Sequence, residues 1–499
     1  MIVRILLALI LWALATPAAA DDISATGRGV VRVVTIAVVD DKVVGFGHGS
    51  GVAVGPNRIV TNAHVMELAD RYPDNVLIGV VPSEGAKSYQ GKVIAFDSRR
   101  DLALIEFTGA RLPAAALYTG AVTEGDPVVA LGYPGNVDLA TARSAADYIR
   151  PMTPVRSEGV FSGRRSLTGI EVLLHTASIA RGNSGGPLLD RCGRVIGINS
   201  AITRGEEGDS TFGFAIADTE VAAFLRSAGQ PFTTVGTPCT SIEERLRDDN
   251  AAEAQAQADA VSARRDAAAR AQAAREEALA KARNAAEHTR ENVMAIAGLL
   301  LVAGALVIGG AGLLMSRGQR TAAIWAVIVG VVAIVAAIVV FVLRPSGEVA
   351  IAAIAPSTVA SQDVPAGRLV CVFQPDRSRV TVSTTADVTL NWNRAGCLND
   401  RTQFLQEKGR WTRVLVPDTE QTVSIASFDP ATRTYANTRY LLSAAAMEAM
   451  RKLRVKNAPK SCTLDPLPID RLAQQQAAVR AGLPPLPNEK LVYSCRSGD

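Results

Sequence analysis

Two apolar runs fix the organisation of this chain. Residues 293–315 read VMAIAGLLLVAGALVIGGAGLLM and residues 322–343 read AAIWAVIVGVVAIVAAIVVFVL, and neither contains a charged side chain. Each is about the 20 residues a helix needs to cross the hydrocarbon core of a bilayer. Two buried core helices are the alternative, and runs this long and this clean argue against it. The turn between them, residues 316–321, reads SRGQRT and carries Arg317 and Arg320. Such a short basic loop belongs on the cytoplasmic side. An exported N-terminal half followed by two spans then returns the C-terminal part to the outer side.

The N-terminus agrees with export. In MIVRILLALILWALATPAAA, Arg4 precedes an apolar run that ends at Pro17 and three small residues. This pattern is that of a secretory signal peptide, residues 1–20, cleaved before Asp21; an uncleaved anchor is the alternative. Six cysteines, Cys192, Cys239, Cys371, Cys397, Cys462 and Cys495, fit an oxidising compartment in which an even number permits complete pairing. A hydrophobic share of 48% with only 5% aromatic residues points to Ala- and Val-rich helices. The net charge of +4 is small for 499 residues and the basic residues are dispersed, which gives nucleic-acid binding no support.

The length calls for two or three folded units. Residues 21–235 carry many short β-type runs separated by Gly, Pro and Asp, among them VVRVVTIAVV, RIVT, NVLIGVV, LALIEF, PVVALGY, IEVLLHT, RVIGINS and TFGFAIA. That spacing indicates a barrel or sandwich. DTEVAAFLRSAG closes the segment as a helix, with Asp218 as its expected cap. Residues 241–292 are rich in Ala, Arg and Glu, without Pro or Gly. They read as one long helix that starts at a Ser241/Glu244 capping box and forms a solvated stalk rather than a coiled coil. Residues 345–499 read as a small, β-rich (α+β) extracytoplasmic domain. Its expected strands are RLVCVFQ, RVTVSTT, VTLNW, RWTRVLVP, TVSIASF and LVYSCR, and SAAAMEAMRKLRV is a helix. The four cysteines there allow two bridges of unreadable pairing.

Chemistry concentrates before residue 235. The chain has four histidines, His48, His64, His175 and His288. Nucleophilic serine chemistry needs a base beside the serine and an acid that holds the base in one tautomer. His64 lies in RIVTNAHVM, a strand running into a short turn, Asp101 opens the apolar strand of DSRRDLALIEF, and Ser184 lies in ARGNSGGPLL. The glycines around Ser184 let successive N–H groups face one point, as an oxyanion requires. Taken singly, each has an ordinary structural explanation; their order on strand ends of an all-β segment favours catalysis. His48 is a rival base that reads as structural or cleft-lining, His175 reads as a core residue and His288 as solvated. Asp40 and Asp41 compete for the acid but read as hairpin-turn residues.

TNAHV, DLALIEF and GNSGGPLL together resemble the trypsin-like serine peptidases, and GSGVAV, GDPVVALGYPG, SEGVFSG and TFGFAIA narrow the resemblance to their HtrA-type bacterial branch. The resemblance covers about residues 28–230. It implies an all-β, chymotrypsin-like pair of six-stranded barrels, with the break near residues 113–123 and the site between them. Ser184 is then the nucleophile, His64 the general base and acid, and Asp101 the residue that orients His64. The N–H groups of Gly182 and Ser184 form the oxyanion hole, with Asn183 shaping the loop. Ser178, Ile179, Thr211, Phe212, Gly213 and Phe214 line the specificity pocket. Ser178 is not acidic, which argues against cleavage after Arg or Lys.

The resemblance also implies protein or peptide substrates, no metal and no cofactor. It implies a bacterial inner membrane, with both soluble parts on the periplasmic side. A peptide-binding PDZ domain usually follows the protease in that branch, and nothing here resembles one. The oligomeric state is open. Cys192 either pairs with Cys239, tying the serine-loop hairpin to the segment leaving the barrels, or both remain separate buried thiols.

Overall fold

A computed structural model describes residues 21–203, 211–343, 367–393, 395–454, 462 and 465–498. The expected signal peptide, residues 1–20, lies outside them. The chain divides into two compact units, residues 1–255 with 364–499, and residues 256–363.

The first unit opens with a short helix, α1 (Asp22–Gly27), and then two barrels. The first is built from β1 (Val30–Val39), β2 (Lys42–Gly55), β3 (Arg58–Thr61), β4 (Val76–Pro82), β5 (Tyr89–Asp97) and β6 (Leu102–Phe107). They close in the order β1-β2-β3-β6-β5-β4, with β4 pairing back to β1. β-Branched residues dominate β1, as a pleated, half-buried surface favours. Asp40 and Asp41, at φ 48° and 58°, make the tight turn into β2. Positive φ at both central residues is the geometry of a two-residue hairpin, which Asp tolerates. One departure from the sequence reading follows β3: TNAHV does not end in a short turn but enters helix α2 (Ala63–Arg71).

After β7 (Leu117–Tyr118), the second barrel takes β8 (Pro127–Gly132), β9 (Val155–Leu167), β10 (Ile170–His175), β11 (Pro187–Leu189), β12 (Val195–Ile202) and β13 (Gly213–Ala217). A helix, α3 (Gly135–Thr141), lies between β8 and β9. The order β11-β8-β9-β10-β13-β12 closes because β12 also pairs with β11. α4 (Asp218–Ser227) and β14 (Thr234–Val235) follow. Asp218 is the first helical residue of α4 and Ala217 the cap, one residue earlier than expected. A core shared by both barrels joins Val52, Val60 and Leu104 to Leu131, Val172 and Ile198, and α4 adds Val221, Phe224 and Leu225. That shared core sets the two barrels side by side.

The C-terminal part of the same unit is a nine-stranded sheet. Trp392, Phe404 and Phe428 pack at its centre. Helices Ala444–Lys452 and Pro466–Ala481 contribute Met447, Met450 and Val479 to a second cluster with Val414 and Val423. RVTVSTT is not a strand, although its composition suggested one; only Arg379 makes an isolated bridge, to Lys490. The cause is Glu489, fully buried, whose Oε1 accepts the N–H groups of Thr381, Val382 and Ser383 in succession. A backbone wrapped on a carboxylate cannot also offer those groups to a ladder. All six cysteines are paired, Cys192–Cys239, Cys371–Cys495 and Cys397–Cys462.

Helix α5 (Ile242–Ser316) runs without a break from Ser241, whose Oγ accepts the Glu244 N–H at 3.0 Å, through the Ala-rich stretch and the first apolar run. α6 (Arg320–Val342) follows. Both contain stretches long and apolar enough to cross a membrane. Gly318, at φ 81°, ends α5; its N–H and that of Gln319 close on the carbonyls of Met315 and Leu314. Within this second unit the helices touch at Gly304 and Gly330. A Cβ on Gly304 would lie 2.9 Å from the Gly330 carbonyl oxygen, so only small residues permit the approach.

Candidate active site

β3 and β6 are antiparallel neighbours with Thr61 opposite Ala103. The end of β3 therefore lies beside the start of β6, and residues 62–64 meet residue 101. Asn62 donates its side-chain N–H to the Asp101 carbonyl at 2.8 Å. Asp101 sits at φ 54°, a conformation that Asp adopts more readily than most residues, and this turns its carboxylate back toward α2. Oδ1 accepts the His64 backbone N–H at 3.0 Å and lies 2.9 Å from His64 Nδ1. With Nδ1 donating to a carboxylate, Nε2 is left as the acceptor. The His64 side chain is 47% exposed, so the ring is open to solvent.

The second barrel brings the serine. The loop between β10 and β11 carries Ser184, and the Ser50 N–H of β2 donates to the Ser184 carbonyl at 2.8 Å. Ser184 Oγ donates to the Ser200 carbonyl at 3.1 Å. Ser200 Oγ in turn donates to Asp101 Oδ2 at 2.6 Å. Sequence reasoning missed Ser200. It bridges the serine loop and the acid across the seam, and nothing in its own stretch of β12 signals that role.

The loop itself has the expected donors free. Gly182 is at φ 96°, and a Cβ there would lie 2.3 Å from the Tyr133 carbonyl oxygen, so no side chain fits. The Asn183 N–H closes a turn on the Ala180 carbonyl at 3.0 Å, and Asn183 is buried. The N–H groups of Gly182 and Ser184 make no hydrogen bond among the described residues.

Around the expected pocket, Ser178 and Thr211 are exposed and Phe212 is half-buried. Gly213 lies against the His175 ring. Ile179 and Phe214 pack partly into the cores. Residues 204–210, beside Thr211, lie outside the described residues.

The rival base is accounted for. His48 Nε2 lies 3.1 Å from Asp138 Oδ2, and Arg32 holds Oδ1 of that carboxylate at 2.7 Å. Burial pushes the His48 imidazole down, and Asp138 partly opposes this. His175 is fully buried, and burial pushes it down to about 4. Asp40 and Asp41 occupy the hairpin turn of the first barrel. No group of three or more metal-type side chains gathers among the described residues.

Comparison with known proteins shows what this part of the chain is similar to. Residues 49–198 match the trypsin-like peptidase domain. The magnetosome formation protease MamE of Magnetospirillum gryphiswaldense is 33% identical over 185 residues, 35% of this chain and 22% of the relative. The serine protease Rv3671c of Mycobacterium tuberculosis is 29% identical over 216 residues, 42% of this chain and 49% of the relative. A probable periplasmic serine endoprotease, DegP-like, of Pseudomonas savastanoi pv. phaseolicola is 31% identical over 191 residues, 36% of this chain and 35% of the relative. The chain thus spans less than half the length of these relatives. The crystal structure of the Rv3671c protease in its active form aligns with a TM-score of 0.34 at 24% identity, covering 44% of this chain and 91% of that one. The paired barrels of this chain thus hold a stretch, residues 49–198, that matches the trypsin-like peptidase domain, and the DegP-like serine endoproteases are among the proteins it is similar to.

Proposed function

We propose that the protein is a membrane-tethered, extracytoplasmic serine endopeptidase that cleaves protein substrates through an acyl-enzyme on Ser184. The observation that carries this reading is the Asp101–His64 pair beside a serine loop whose Gly182 and Ser184 N–H groups have no hydrogen-bond partner among the described residues. In this mechanism His64 Nε2 takes the Ser184 proton as Oγ attacks the scissile carbonyl. The oxyanion of the tetrahedral intermediate is held by those two N–H groups. The His64 imidazolium, oriented by Asp101, then protonates the leaving amine. Water repeats the sequence on the acyl-enzyme. The absence of an acid at Ser178 favours a small or aliphatic residue before the scissile bond over Arg or Lys. Tethering by α5 and α6, the basic loop between them and the cysteine pairing support a periplasmic site of action in a bacterial inner membrane, in protein quality control or regulated proteolysis.

One observation favours a second reading, a peptide-binding scaffold without turnover: Ser184 Oγ donates to the Ser200 carbonyl rather than to His64. A serine in a resting enzyme can leave that bond when substrate arrives, whereas a scaffold has no need to. Hydrolysis of an unfolded protein by the full-length chain in detergent micelles separates the two. The enzyme reading predicts that Ser184→Ala lowers turnover on the order of a million-fold. Equal rates for the two proteins would overturn it.

A further inference from the structure

One buried side chain of the first barrel grips the serine loop from behind. Ser50 in β2 is fully buried. Its hydroxyl donates to the Gly182 carbonyl at 2.7 Å and accepts the Tyr133 N–H at 2.9 Å. Its backbone N–H donates to the Ser184 carbonyl at 2.8 Å. Its own carbonyl accepts the Thr61 hydroxyl at 2.7 Å. A serine hydroxyl has one proton, and because Tyr133 supplies the incoming donor, that proton is committed to Gly182.

The consequence follows from peptide planarity. In a trans peptide the carbonyl and the next N–H point in opposite directions. The Arg181 carbonyl is held by the Gly135 N–H at 2.7 Å, which turns the Gly182 N–H the other way. The Gly182 carbonyl is held by the Ser50 hydroxyl, which sets the plane of the following peptide. The Ser184 N–H shares its peptide with the Asn183 carbonyl, which accepts the Gly186 N–H at 2.9 Å, so the peptide that Ser50 holds lies between the two that carry the Gly182 and Ser184 N–H groups. The slot around the hydroxyl is tight. A Cβ on Gly132 would come within 2.9 Å of Ser50 Oγ, and one on Gly186 within 3.2 Å of Ser50 Cβ.

We propose that Ser50 is a positioning residue for acyl transfer, its hydroxyl fixing the Gly182–Asn183 peptide that joins the two peptides carrying the oxyanion-hole N–H groups, so that their spacing is preset. It touches neither substrate nor the reacting atoms, and the proposal rests on the reading of Ser184 as nucleophile. Ser50→Ala keeps every backbone bond of residue 50 and removes only the lock. It leaves the Gly182 carbonyl without its donor, and the Gly182–Asn183 peptide is then held only by the Asn183 N–H bond to the Ala180 carbonyl.

The test uses the full-length protein in detergent with a chromogenic peptide substrate, a peptide boronate and the corresponding product peptide. Ser50→Ala is expected to lower kcat about ten- to a hundredfold, the lower end of the loss of an oxyanion donor, with KM within about twofold. Boronate affinity, which depends on a tetrahedral adduct in the hole, falls by a similar factor while product-peptide affinity stays put. Ser50→Cys, which keeps the shape and a weaker donor, shows an intermediate loss and serves if Ser50→Ala unfolds. Wild-type kcat in either folded variant overturns the proposal. So does a loss of boronate and product affinity in equal proportion, which would mark Ser50 as packing alone. Failure of the nucleophile reading is seen separately, as Ser184→Ala turning over like the wild type.

Discussion

At the scale of single residues, Asp101 does two jobs with one carboxylate. Oδ1 receives His64 and Oδ2 receives Ser200. His64, Asp101 and Ser184 were singled out as candidates because each sits in a short motif with its own local pattern. Ser200 and Ser50 were not, because their partners lie far along the chain and a serine in a strand carries no signal of a distant carbonyl. His175 gives this scale its prediction. Burial pushes its pKa down to about 4 from the ordinary imidazole value of 6.5. The unfolded chain therefore binds more protons between those values, and stability rises with pH across that window. The contribution is complete above about pH 6.5 and is lost as pH falls toward 4, an effect of about 3 kcal/mol. Urea unfolding at pH 7 and at pH 4.5 should show a steeper loss for wild type than for His175→Gln. Parallel losses would contradict this account of the buried ring.

At the scale of elements, short β-type runs and turn residues read well where the ladder is the only competitor for backbone groups. The β1–β2 hairpin and β6 follow their patterns closely. Reading failed where a side chain intervened. Asn62 and Asp101 bind the chain leaving β3 as it becomes α2, and RVTVSTT gives its N–H groups to Glu489. The 13-residue β9 was read only as a family motif, since its Gly and Arg residues obscure the alternation. Glu489→Ala should leave three N–H groups of residues 381–383 without their acceptor. Removing a buried charged acceptor costs about 1–3 kcal/mol or more, read as a lower thermal unfolding midpoint. An unchanged midpoint would show that water replaces the carboxylate without penalty.

At the scale of the whole molecule, the pieces of the first unit are bound by a buried ionic knot. Arg379 of the C-terminal part reaches Asp22, at the first turn after the expected cleavage point, at 2.5 Å, and Asn488 donates to the same carboxylate at 2.8 Å. Burial is the largest influence on Asp22 and pushes its carboxyl up, with Arg379 opposing. None of this was legible beforehand, since residues 22 and 379 belong to segments with no shared pattern. The order of segments was legible, because charge-free apolar runs admit few alternatives. The membrane account predicts that a reporter fused after Gly318 behaves as cytoplasmic, and reporters fused after residues 235 and 498 as extracytoplasmic. An extracytoplasmic signal at Gly318 would reverse the topology. The central claim, that Ser184 is an activated nucleophile, is tested most directly by fluorophosphonate treatment of the full-length protein, followed by peptide mass spectrometry. The account predicts one phosphonyl group on the peptide containing Ser184, absent in Ser184→Ala and strongly diminished in His64→Ala. A wild-type protein that stays unmodified, or equal labelling with and without His64, would contradict it.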